Sequence, residues 1–95
     1  MSDQPTSETL SFTAFVLSLA STAAIHFGDM PDPSGVRSEQ SLEGASQMIE
    51  ILALLEQKTR GNLTAEERQL LEQVLYELRL RFIDAIKSQK RIIEP

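Results

Sequence analysis

The sequence predicts an all-α fold: a small three-helix domain, made of an antiparallel helical hairpin plus an apolar N-terminal helix, and completed by dimerisation. Three observations predict it. Apolar residues recur at helical spacing in three separate stretches. The breaks between the stretches carry helix stop and start residues: Gly and Pro on one side, Ser and Thr on the other. The chain has 95 residues and no cysteine. It is one domain of marginal size without disulfides or thiolate metal sites, so association is the remaining common route to stability. Residues 1–8 read as a flexible lead, 9–91 as a single helical domain and 92–95 as a C-terminal tail. The opening "MSDQPTSETL" has no basic n-region of the secretory type.

The first helix is expected over about 9–27, "TLSFTAFVLSLASTAAIHF". Twelve of the eighteen residues from Leu10 to Phe27 are apolar, and none is formally charged. The large residues Phe12, Phe15, Val16, Leu19 and Phe27 share a helical spacing. A second line, Leu17, Ala20 and Ala24, runs on another face. This is more apolar surface than one groove between two helices covers. Phe12, Phe15, Val16, Leu17, Leu19, Ala20 and Ala24 are therefore expected to lie in a homodimer interface. Eighteen residues stand at the lower limit for a membrane span. Five of them are Ser or Thr, and no Lys or Arg flanks the segment closely, so a span is not the expectation.

Gly28 is placed to end this helix in the left-handed conformation. Pro31, Pro33 and Gly35 then break any helix in "DMPDPSGVRSEQ", and Ser38 is placed to cap the second helix. That helix is expected over about 39–59. Leu42, Ala45, Ile49 and Leu52 form its apolar line, and Met48, Ile51 and Leu55 widen it. Glu39, Glu43, Glu50 and Glu56 mark its wetter sides. Gly44 costs roughly 1 kcal/mol against Ala in a helix interior, which fits either a close helix crossing or simple tolerance. The third helix is expected over about 65–90. Its stripe is Leu71, Val74 or Leu75, Leu78, Phe82, and Ala85 or Ile86. Lys87, Lys90 and Arg91 complement the dipole at its end, and Ile92 and Ile93 come next as uncovered apolar residues.

Between these two helices lies "KTRGNLTAEE", residues 58–67. Lys58 and Arg60 suit the end of one helix. Gly61 can take positive φ, and Asn62 tolerates it. Thr64 and Glu67 have the T-x-x-E spacing of a capping box. Leu63 is expected to pack between the helices. Each of Gly61, Asn62, Leu63, Thr64 and Glu67 thus has a structural role in an αα-hairpin.

Together with "FVLSLASTAAIHFG", "PDP" and "SLEGASQMIEILALLEQKTRGNLTAEERQLLEQVLYELRLRF", this stretch resembles a small bacterial family known only as a domain of unknown function. The resemblance covers about residues 12–82, and "KTRGNLTAEE" is its most specific part. Glu50 stands where sequences of this kind carry Asp, which keeps the charge. The resemblance implies a short helical bacterial protein in the cytoplasm. It implies no activity, substrate or catalytic residue.

Residue chemistry narrows the function class. The net charge is −5, which argues against a general nucleic-acid binder. Residues 1–57 hold eight acids and one base, Arg37, whereas residues 58–95 hold eight bases and six acids. That asymmetry suits pairing of the two halves, between copies or within one fold, and fits a solvated surface equally well, because exposed ion pairs contribute little. His26 is the single histidine, with Thr22 one turn before it. No carboxylate is placed to orient the ring, and Thr is a rare nucleophile away from a chain terminus. Asp29 and Asp32 are too few for a calcium loop. Glu66 and Glu67 face different directions on a helix. The basic end, Arg79, Arg81, Lys87, Lys90 and Arg91, has only Phe82 interleaved and lacks a base-stacking platform. No catalytic, cofactor or metal site is expected. The sequence reads as a non-enzymatic, self-associating interaction or adaptor module of the cytoplasm, most simply a homodimer with an unidentified protein partner. The alternative is a peripheral membrane protein that uses helix one or the basic helix end.

Overall fold

The computed structural model describes residues 11–31, 34 and 40–93, with side chains as far as residue 89. Three helices pack together, and no strand occurs among the described residues. They are α1 (Phe12–Phe27), α2 (Leu42–Lys58) and α3 (Ala65–Ile93).

Ser11 starts α1. Its backbone is extended and its hydroxyl accepts the Ala14 N–H at 3.0 Å, which satisfies one of the free amides of the first turn. Gly28 ends the helix at φ 84°. The Gly28 and Asp29 amides donate back to the Ile25 and Ala24 carbonyls, both at 2.9 Å. This is the Schellman arrangement, which a residue with a Cβ adopts only under strain.

The cap of α2 differs from the sequence expectation. It is Ser41, three residues after Ser38, and its hydroxyl accepts the Gly44 N–H at 3.1 Å. The cause is tertiary. The Ser41 N–H donates to the His26 carbonyl at 2.7 Å, and the Gln40 side-chain amide donates to the Phe27 carbonyl at 3.1 Å. Those bonds bring residues 40 and 41 against the end of α1 and delay the helix. Ser38 itself, with Asp32, Pro33, Gly35, Arg37 and Glu39, lies outside the described residues, as do the 1–8 lead and the tail beyond 93.

The 58–67 corner is built as its residues predict. Thr59 closes α2, its N–H and hydroxyl both donating to the Leu55 carbonyl. Gly61 sits at φ 87°. Thr64 and Glu67 exchange both capping-box bonds, at 2.9 and 3.1 Å, and Leu63 packs against the core. Arg60 grips Glu56 with two bonds of 2.8 and 3.3 Å. These bonds, and then the guanidinium charge, hold the Glu56 carboxyl below its ordinary range. α3 continues to Ile93, past the expected 90; the Ile92 and Ile93 side chains lie beyond the described ones.

The core has two parts. Val16, Leu52, Leu71, Val74 and Leu75 form one, with Phe12, Leu19 and Ala20 packed against it. Ala23, Phe27, Ala45, Met48 and Ala85 form the other. Phe27, Leu52, Leu71 and Val16 are fully enclosed, and burial of side chains this size contributes about 1.5–3 kcal/mol each. α1 thus lies antiparallel to α2 and parallel to α3. At 29 residues, α3 is about 43 Å long against about 24 Å for α1.

Candidate interaction surface

Of the seven α1 residues expected at an interface, Val16 is spent inside the single chain. Phe12, Leu19 and Ala20 are half-buried against its own core, and Ala24 is half-buried as well. Phe15 and Leu17 remain exposed. Two residues apart, they project roughly 200° from each other round the helix. The free apolar surface of α1 is therefore split between two flanks.

The larger exposed set lies elsewhere. On α2, Ile51 and Leu54 are exposed. The sequence expectation has Ile51 widening the core line, but it sits one step round from the buried Leu52 and turns outward. On α3, Tyr76, Leu80 and Ile83 are exposed, Tyr76 at 64%. They have an i, i+4, i+7 spacing directly opposite the core line of Leu71, Leu78 and Ala85. α3 thus carries a second apolar stripe. Sequence reasoning finds its first stripe and misses the second. The signal is present in the spacing, hidden by the assumption that a helix has one apolar face.

The stripe borders a shallow groove of about 230 Å³ between α2 and α3, lined by Ala53, Glu56, Glu72, Leu75, Tyr76 and Arg79. The groove is open and mixed in polarity. Glu56 is held by Arg60, and Glu72 reaches Arg68 at 3.6 Å. Nothing in it pairs a nucleophile with a base.

The polar residues weighed for chemistry sit apart from this face. The Thr22 hydroxyl donates to the Ser18 carbonyl in its own helix at 3.1 Å. The His26 ring lies over Gly44: a Cβ added there would come 2.5 Å from Nδ1. Gly44 is a close crossing, the first of the two readings open for it. Asp29 receives two bonds of 2.8 Å from Arg81. These bonds chiefly, with the guanidinium charge adding to them, lower its carboxyl from the ordinary range despite slight burial. Arg81 also lies 5.0 Å over the Phe27 ring and 3.8 Å from Asp84. One member of the basic cluster is therefore a clamp between α1 and α3. No group of three or more His, Cys, Asp or Glu among the described residues is placed to hold a metal ion. No helix among them is long and apolar enough to cross a membrane.

No curated protein and no solved structure matches the chain. A family model, domain of unknown function DUF1844, matches residues 9–84. That match spans most of the chain, which belongs to this family.

Proposed function

We propose that the protein is a non-enzymatic interaction module whose working form is self-associated, most simply a homodimer. One observation carries this reading. Among the described residues, eight large apolar side chains remain 44–64% exposed, and three of them form one helical stripe. Contiguous exposed apolar surface on a small domain marks an interaction site. The groove beside the stripe brings no convergent catalytic groups, and His26 and Thr22 are engaged in helix contacts, which supports the non-enzymatic part.

Sedimentation equilibrium over micromolar to millimolar concentrations tests this. A dimer that dissociates on dilution is the expected result. A monomer throughout the range overturns the reading, and one that also floats with anionic vesicles replaces it with peripheral membrane binding.

A further inference from the structure

Self-association leaves open which surface is shared. Resting on that reading, we propose that a second copy of this chain docks on the α2–α3 face through a twofold axis parallel to the helices. α2 of each copy then lies antiparallel over α3 of the other, and the two hairpins form a four-helix core.

The register of the hairpin supports this. Ala53 and Glu56 share the groove with Leu75 and Tyr76, and Ala45 and Ala85 belong to one core cluster. One turn up α2 therefore corresponds to one turn down α3. On that scale Leu54 is level with Tyr76, Glu50 with Arg79 and Glu43 with Lys87. Acids on α2 thus stand level with bases on α3.

Within one chain these charges stand side by side and do not bond. The ion pairs of the described residues are Arg60–Glu56, Arg68–Glu72, Arg81–Asp29 and Arg81–Asp84. Glu43, Glu50, Lys58, Arg79 and Lys87 take part in none of them. Arg79 does sit near Glu56, but Arg60 holds both oxygens of that carboxylate. The acids Glu77 and Asp84 belong to the flank of α3 nearer α1, where Arg81 joins Asp84 and Asp29.

A twofold parallel to the helices preserves level and exchanges α2 for α3 across the interface. Each acid then faces the base at its own level, each pairing is made twice, and Leu54 faces Tyr76. A twofold lying across the helices would instead set α2 on α2 and α3 on α3 with their levels reversed; with the axis at the level of these charges, Glu43 and Glu50 would meet the same acids of the other copy, and Arg79 and Lys87 the same bases. Like-charge juxtaposition disfavours that arrangement.

Charge reversal tests the geometry on the full chain. Glu50 and Arg79 are both exposed, so reversal leaves the fold intact, with unchanged helical circular dichroism as the control. Glu50→Arg and Arg79→Glu should each raise the dimer dissociation constant about tenfold, because every reversal acts twice under the twofold. The double variant should recover most of the loss. Leu17→Glu on α1 should leave the dimer unchanged. A wild-type dimer indifferent to both reversals and broken by Leu17→Glu overturns the hairpin interface while preserving self-association. A wild-type monomer overturns both readings.

Discussion

At the level of single residues, the tightest constraint is the crossing of α1 over α2. Gly44 is in a helix interior, where Ala is ordinarily better by about 1 kcal/mol. Here a Cβ would fall 2.5–2.9 Å from three atoms of the His26 ring, including Cγ at its base. The ring cannot swing clear without moving its own root. Gly44→Ala should therefore destabilise the protein, by about 1–2 kcal/mol once overpacking is set against propensity. In a His26→Ala background the same change should reverse sign and stabilise by about 1 kcal/mol. Urea denaturation of the four proteins forms a double-mutant cycle, and equal effects in both backgrounds would show that the ring is not the obstacle. The Asp29–Arg81 clamp gives a second test. The folded-state pKa of Asp29 is depressed. Its contribution to stability is therefore fully present above the ordinary carboxylate value of 3.8, and is lost as pH falls through the lower folded value. Both side chains are partly exposed, so Asp29→Asn should cost only about 0.5–1 kcal/mol at neutral pH. The cost should vanish in strong acid. A cost that persists there would assign the effect to the cap region rather than the charge.

At the level of elements, local signals account for most helix boundaries. Gly28 and the Thr64–Glu67 capping box act within a few residues of themselves, so the sequence displays them directly. Thr64→Ala should cost about 1 kcal/mol as a lost cap, read as a shift in urea midpoint with unchanged slope. No shift would mean that water or another group caps α3 equally well. The start of α2 is not legible in the same way. Ser38 and Ser41 both have the chemistry of a cap, and the choice is made by the carbonyls of His26 and Phe27, which no local pattern reports. Periodicity also has a limit on α3. It locates the stripe Leu71, Leu78 and Ala85, but Tyr76, Leu80 and Ile83 have the same 3.5-residue spacing. Only the placement of α1 and α2 shows which stripe is inside. The candidate surface is therefore present in the sequence as residues and hidden as a face.

At the level of the whole molecule, three helices close a core around Leu52 and Leu71, yet α3 still carries an apolar back and α2 an apolar edge. The acidic N-terminal half and basic C-terminal half acquire a structural meaning in this frame. α2 belongs to the first half and α3 to the second, so Glu43 and Glu50 on one stand level with Lys87 and Arg79 on the other. Within the chain that complementarity goes largely unused, because neighbouring helices point their outer side chains the same way rather than at each other. A second copy turned about an axis parallel to the helices makes use of it. Association of this kind links folding to concentration. Each tenfold increase in protein adds about 1.4 kcal/mol per dimer, or about half that per chain. For a domain of this size that shift should raise the melting temperature about 3 °C. Salt should act in the opposite direction. The cross-copy pairs lie near the surface, so raising ionic strength from low to molar should weaken the dimer, while the Leu54–Tyr76 contact persists. Calorimetry at several concentrations and two salt levels measures both effects. A melting temperature independent of concentration would exclude a dimer coupled to folding. One that rises with concentration but ignores salt would place the shared surface away from Glu43, Glu50, Arg79 and Lys87, on apolar residues alone.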